Sequence, residues 1–520
     1  MKKFSFSIVF TLVAILAIAS AAIAGTDALP GSGWWSAEQI QNVGSAQANI
    51  TITAYDSEST ATYPLSDTLD AGAAKNYNPI TLGLPDNFQG SAVVSASQDI
   101  RAIVNITNRY VTISGNQLGD PASPSPAAGQ YQGMNIPSTT INFPLAKNNH
   151  YNKTTTYFIQ NAGTTAATAT ATFILFNPGT AQNETFTYVT PSIGPGQMVV
   201  VTANDARDLG NNPPPSGNGV VGSLTVTSTQ PLAGVCLEHK TTESNATVLQ
   251  ATRAFTSNDY DTKVYIPSNK QNFYGRFSGI QVQNVSGAPI DVNVTYIQSL
   301  NAGTGCPGGT KTDSTTNLAN GASWTFLSTA QLDNGCFASA TVEATGDVVA
   351  LVNESFLQSW LDTHPDVYQQ STSYGGIAAV SGTTVVSLPM FKENSYAKGT
   401  GVSLQNIGDA EATNVVISFI GPTGTYTLLP QTIGMGASIV LTDVRNRTDW
   451  SGTPMTPTAL GCSPDPLNTT GCGANGLFGV IVEADQPVVA IANESTYPFA
   501  APLIKQDKNN YEGFNLTAAP

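Results

Sequence analysis

The sequence predicts an all-β protein of four tandem two-sheet sandwich units, and three observations predict it. Composition is the first: charged residues make up only 11% of the 520 residues, well under the typical ~25%. Gly (47) and Pro (31) are abundant, a mixture suited to short strands joined by many turns and unsuited to long helices. The second is a Gln-Asn pair that recurs at Gln41-Asn42, Gln160-Asn161, Gln283-Asn284 and Gln405-Asn406, with Asn spacings of 119, 123 and 122 residues. A self-similar period of that length is the size of a whole domain. The third is alternation after the pair, as in Asn49 to Thr53 and Asp291 to Tyr296, which gives one apolar and one polar face.

The chain opens with Lys2 and Lys3, an apolar run from Phe4 to Ala19, and small residues leading to Ala22-Ile23-Ala24. That is a secretory signal with an Ala-x-Ala cleavage site, and its apolar core is shorter than the roughly 20 residues a spanning helix needs. The expected organisation is a signal peptide at 1–24, a first unit with linker at 25–140, and further units at 141–263, 264–385 and 386–499. A strand-like segment follows at 500–520. No membrane span is expected in the mature form.

Each copy runs through the same elements. A Gly turn lies mid-repeat at Ala71-Gly72-Ala73, Gly194-Pro195-Gly196, Asn320-Gly321-Ala322 and Gly434-Met435-Gly436, where such residues supply unusual backbone angles. A closing apolar strand carries Ala and then Asn three residues on: Ala102 and Asn105, Ala350 and Asn353, Ala490 and Asn493, with Ala233 and Cys236 in the second copy. Several short strands with two faces to cover point to a sandwich of the immunoglobulin-like class. The order apolar-Gln-Asn-x-Gly, Gly turn, then Pro487 to Ala490 resembles the sandwich repeats of poorly characterised bacterial surface proteins. That resemblance implies a surface location and carries no functional residue across.

Three linkers share Pro-x-x-Lys-x-Asn-x-Tyr: Pro144 to Tyr151, Pro267 to Tyr274 and Pro389 to Tyr396. They are expected to be edge strands whose Lys keeps its amine in water and whose Tyr packs at a domain seam. A sharper alternative is a Lys-Asn isopeptide bond to Asn353 or Asn493. The five Cys of an exported chain are candidate disulfides, pairing Cys306 with Cys336 and Cys462 with Cys472 inside their own units and leaving Cys236 a buried thiol. Acidic loops at Asn204 to Asp208 and Asp443 to Asp449 each contain an Arg. An internal ion pair or a short helical cap therefore explains them better than calcium, which needs six or more oxygens.

No catalytic or metal-binding pattern surrounds His150, His239 or His364, and no phosphate loop, dinucleotide fingerprint or nucleophile elbow occurs. A carboxylate pair for glycoside hydrolysis has no positive support. A net charge of −15 without a basic cluster argues against nucleic acid. No cofactor is expected. The expected role is a non-catalytic extracellular structural protein of a surface filament, sheath or surface layer, with an adhesin that holds surface glycans as the alternative. A leader-like stretch at the C-terminus (Pro502, Lys505, Tyr511) is read conservatively as the last strand of the fourth unit; together with an unusual start (Trp34, Trp35), the sharper reading is a head-to-tail homopolymer formed by strand addition between molecules.

Overall fold

The structure is a computed structural model that describes residues 15–17, 29–30, 32–113, 115–119, 127–177, 182–203, 219–240, 249–300, 303–364, 371–395, 398–442, 444–462, 471–496 and 508–516. Among these, almost every regular element is a β-strand, arranged in several sheets. Four successive strand sets share one pairing scheme. In the first, one layer runs Ile15–Ala17, Gly90–Ala96, Ala48–Asp56, Thr62–Leu69, and the other Ala128–Gln132, Ile100–Thr107, Trp35–Asn42, Ala74–Tyr77. In the later units one long strand passes through both layers: Val220–Lys240, Cys336–Phe356 and Leu477–Thr496. Alternation sets the layers facing each other, as in Ile290–Gln298, where Val292, Val294 and Tyr296 are buried and the intervening residues are not.

The Gln-Asn pair earns its recurrence at the turns. Asn284 donates through Nδ2 to the carbonyls of Ala288 (2.7 Å) and Leu318 (2.8 Å), and its Oδ1 accepts from the Ser286 amide (2.9 Å). Asn42, Asn161 and Asn406 make the same three bonds to their own turns. Each therefore satisfies backbone groups that no strand partner reaches. The adjoining turn glycines, Gly72, Gly196, Gly321 and Gly436, sit at φ +74°, +77°, +78° and +72°, a region that side-chain-bearing residues avoid.

The Gln reaches between units. Gln160, Gln283 and Gln405 donate to the carbonyls of Gly196, Gly321 and Gly436, and each carbonyl also accepts a hydroxyl from the preceding unit, from Ser91, Ser223 and Ser339 respectively. At the fourth junction Gln41 donates to Gly72 of the first unit while accepting from Ser387 of the fourth, 346 residues away. The closing strands Ala128–Gln132, Leu249–Arg253, Ser371–Gly375 and Lys508–Glu512 pack each against the next and the last against the first. The four units thus close into a ring with these strands at its hub.

Each unit takes a leader strand from the chain just before its Gln-Asn strand: Ser138–Asn148, Asp261–Phe273 and Thr383–Lys392 in the second to fourth units. The fourth unit extends further than expected. Lys508–Glu512 pairs with Ile491 to Ser495, and Phe514–Leu516 with Val385 to Ser387, so this stretch is that unit's own closing strand, and not a leader waiting for a further unit. Tyr511 is fully buried there, and Pro502 and Lys505 lie outside the described residues. The two expected disulfides are present, Cys306–Cys336 and Cys462–Cys472, and Cys236 is free and buried.

Replacing Asn284 by Ala removes three hydrogen bonds and orphans the buried Leu318 carbonyl, at about 1–3 kcal/mol for such a group. Native-state hydrogen exchange of N284A should show the third unit's amides exchanging about 5- to 100-fold faster, with the second unit's amides away from the junction much less affected.

Candidate functional site

The leader strand is where the four units differ, and its geometry follows from a proline. Pro144, Pro267 and Pro389 have no amide to donate, and the ladder between leader and long strand slips at each of them. The carbonyl after the proline then needs another donor, which a buried tyrosine supplies. Tyr374 and Tyr511 donate to Ser268 and Met390 and accept from the same residues' amides at 3.2 and 3.1 Å. In the second unit the donor to Leu145 is Tyr157 (2.7 Å), from the Gln-Asn strand.

Three residues further on, the leader Lys enters a buried charge cluster. Its amide donates to a hydroxyl five residues before the Gln: Thr155, Ser278 or Thr400, at 2.9–3.0 Å. Its amine contacts a glutamate opposite that hydroxyl: Lys147 and Glu238 (2.9 Å), Lys270 and Glu354 (2.7 Å), Lys392 and Glu494 (2.6 Å). A second cation, seven residues before the Gln, completes the cluster: Lys153 (2.8 Å), Arg276 (3.5 Å) and Lys398 (3.8 Å). The expectation that the leader Lys stays in water is therefore corrected. Its amine meets the glutamate next to Asn353 or Asn493, which leaves the isopeptide alternative without its amine. Two tyrosines of the signature are corrected as well, being exposed and not packed, while Tyr396 lies outside the described residues. Tyr151 and Tyr274 are 71% and 68% exposed at positive φ in hairpin turns, and Tyr274 lines an open cleft between the third and fourth units without being buried there. Strand register also shows that Leu237, rather than Cys236, stands where Asn353 does, with Glu238 matching Glu354.

Burial alone would raise the Glu238 pKa, but Lys147 and Lys153 outweigh it and hold the carboxyl at about 2. Burial lowers that of Lys147. The aligned carboxylate and two cations replace water for one another, as a buried charge requires.

The first unit departs at both charged positions of the Gln-Asn and long strands. Counting back from Gln41, Trp34 stands where the second cation belongs, and Ile106 stands opposite Ser36, where the glutamate belongs. The hydroxyl position itself is kept, as Ser36. Trp34 is fully buried in the first unit's core, its Nε1 donating to the Pro30 carbonyl (3.0 Å), and Trp35 donates to Arg109 (2.9 Å). The leader's place is taken by Ile15–Ala17, from the apolar run near the start of the chain. Ile15 lies opposite Val94, as Ile141, Val264 and Val386 lie opposite Val226, Val342 and Val482. Beside this slot is Glu38, at the position of Tyr157, fully buried with no other described residue hydrogen-bonded to its carboxyl oxygens, and burial pushes its pKa to about 8.

Sequence reading missed the Lys-Glu-cation cluster, although the signal was present: each leader Lys is followed by a Lys or Arg six residues later and by a lone Glu in the closing half of the long strand. The loop at Val444 to Asp449 is a short helical turn with an Arg447–Asp449 ion pair (2.5 Å), and Asn204 to Asp208 lies outside the described residues.

No family model and no curated protein matches this chain. Among solved structures, a Thermotoga maritima protein known as 1070 is similar over 23% of this chain and 91% of its own, at 12% identity and a TM-score of 0.17. The C-terminal globular domain of a Pyrococcus abyssi oligosaccharyltransferase is similar over 42% of this chain and 48% of its own, at 12% identity and a TM-score of 0.08. Neither likeness is strong enough to carry an argument.

Two outcomes are expected. Glu354→Gln leaves Lys270 and Arg276 buried without their counter-charge, so the third unit should lose about 3–5 kcal/mol, measured by denaturant unfolding followed by hydrogen exchange. The two acids titrate in opposite senses. The stability that Glu238 contributes is complete above pH 4.5 and is lost as pH falls toward 2, while Glu38, ionised when unfolded and protonated when folded, makes the first unit less stable as pH rises from about 4.5 to 8. Glu38→Leu should abolish that alkaline loss and leave the acid loss unchanged.

Proposed function

We propose that this chain is an exported, non-catalytic structural protein of a bacterial cell surface. Its four immunoglobulin-like sandwich domains form one ring-shaped subunit, and its first domain accepts a strand from a second copy. The observation that carries this reading is the occupant of the first domain's leader position. Ile15–Ala17 belongs to the segment that cleavage after Ala24 removes, so export leaves the Ala92 to Val94 edge without its neighbour. An unpaired strand edge is a template for another chain, and strand addition across molecules is a recurrent mode of assembly.

Trp34 and Ile106 set this slot apart from the other three, because the first domain holds apolar groups where the others hold a second cation and Glu. The donor on this reading is residues 499–505. Phe499-Ala500-Ala501-Pro502-Leu503-Ile504-Lys505 has the apolar, proline and lysine positions of Val386-Ser387-Leu388-Pro389-Met390-Phe391-Lys392. A head-to-tail contact of this kind is heterologous and produces open polymers. Two disulfides within single units are compatible with the oxidising compartment this requires.

A second reading, a glycan-binding adhesin, is favoured by one feature. An open cleft of about 650 Å³ in the first domain is lined by Trp35, Leu84, Asp86, Asn87, Asn116 and Gln117, an apolar floor with planar polar groups at its rim.

The mature chain from residue 25 should form polymers that sediment and scatter light in proportion to concentration. Replacing residues 499–505 by a Gly-Ser stretch, or Val93 by Pro to block the edge, should each leave a single-ring species. A mature chain that stays a monomer at every concentration would sink the assembly reading. Surface material from the source cells that lacks this protein would sink the surface role.

A further inference from the structure

The hub of the ring holds a cavity of about 290 Å³ to which all four units contribute: Arg101 and Gln132 from the first, Arg253 and Asp259 from the second, Gly375 and Ser381 from the third, Glu512, Phe514 and Asn515 from the fourth. It exists only because the ring closes. Strand register makes Gln132, Arg253, Gly375 and Glu512 the same position in four units, opposite Ile103, Val235, Leu351 and Ile491. A fourfold-repeated position has thus become four different groups around one axis.

Most of the charge there is already matched. Arg253 forms a two-pronged pair with Asp259 at 2.7 and 3.0 Å, and Asp259 also accepts from the Thr256 amide. One Glu512 oxygen accepts the Gly375 amide, and the Glu512 carbonyl accepts Gln132 Nε2 at 2.6 Å. Burial pushes the Glu512 pKa up, against the pull of Arg253, which reduces the negative charge it presents.

Two groups remain unmatched. Arg101 stacks over the Phe514 ring at 5.7 Å, and its Nη1 donates to the Ile100 carbonyl at 2.8 Å. Asp99 supplies it with a counter-charge from beyond ion-pair distance, so no carboxylate among the described residues touches the guanidinium directly. Asn515 Oδ1 is buried and accepts no hydrogen bond among them. A guanidinium carries five N–H donors in a planar fork that matches a carboxylate, and a half-buried one with no anion bonded to its fork is costly. Around it stand amides and a hydroxyl, from Gln132, Asn135, Asn515 and Ser381, the groups that bind hydroxyls.

We infer that the hub cavity binds a small sugar acid, with the carboxylate on Arg101 and the sugar hydroxyls on Asn515 and its neighbouring amides. The volume of about 290 Å³ suits one monosaccharide. This site stands whether or not the ring polymerises.

The test is calorimetric titration of the mature ring with glucuronate, glucose and acetate in separate runs, and with sulfate as a competing oxyanion. Glucuronate should bind in the micromolar to low millimolar range. Glucose should bind at least 10-fold more weakly, and acetate and sulfate should compete only at high concentration. Arg101→Gln should weaken glucuronate at least 10-fold, Arg101→Lys less, and Asn515→Leu should weaken glucuronate while leaving acetate competition unchanged. Light scattering and melting temperature confirm that each variant keeps its ring. If a variant ring fails to assemble, protection of the wild-type Arg101 from phenylglyoxal by glucuronate supplies the readout. Equal affinity for glucuronate and glucose, glucuronate binding unaffected in an intact R101Q ring, tighter binding of sulfate than of glucuronate, or no protection would each overturn the assignment.

Discussion

Every junction of this molecule depends on one constraint, that a backbone carbonyl turned away from its sheet must still find a donor. The glycine turns expose such carbonyls at the edge of each unit, and the Gln-Asn pair answers them from two sides. Asn ties the turn to its own sandwich and Gln ties the turn to the neighbour. With a serine hydroxyl from the preceding unit bonding to the same carbonyl at three of the four junctions, the repeat carries its own docking rule. Four copies of one rule close on themselves. The Gln41 and Ser387 contact is that closure.

The same constraint explains the leader. Proline breaks the ladder, tyrosine restores the lost bond, and the lysine beyond it carries charge into a buried cluster with one carboxylate and a second cation. Such a cluster contributes more to uniqueness of register than to net stability, since the desolvation of three charges offsets much of their attraction. A slipped leader would put a lysine against apolar groups, so the cluster selects one register out of several that strand pairing alone would accept. The first unit shows what happens without it: Trp34 and Ile106 fill the space, and the register is set by the backbone alone.

The hub follows a different logic from the rim. At the rim the four junctions repeat nearly the same bonds, and repetition is what closes the ring. At the hub the four equivalent residues have diverged into an amide, a guanidinium, a glycine and a carboxylate. A position that only held four strands together would have no need of such divergence.

Much of this architecture was legible in the chain. The Gln-Asn period, the alternation of Asp291 to Tyr296 and the Gly turns are local signals, because strand burial and turn angles depend on residues a few positions apart, and the pairing of cysteines within units followed from their proximity. What lay beyond the sequence was every relation between positions more than a hundred residues apart. Lys508 to Leu516 reads equally as a leader or as the fourth unit's last strand, since the grammar of an edge strand is the same whichever sheet it joins, and pairing with Ile491 to Ser495 decides for the closing strand. The leader Lys likewise reads as a solvated charge until Glu238, Glu354 or Glu494 is brought across the sandwich to meet it. Ring closure was least legible of all, because a repeat fixes the rotation between neighbours only through packed side chains, and whether four rotations sum to a full turn is decided in three dimensions.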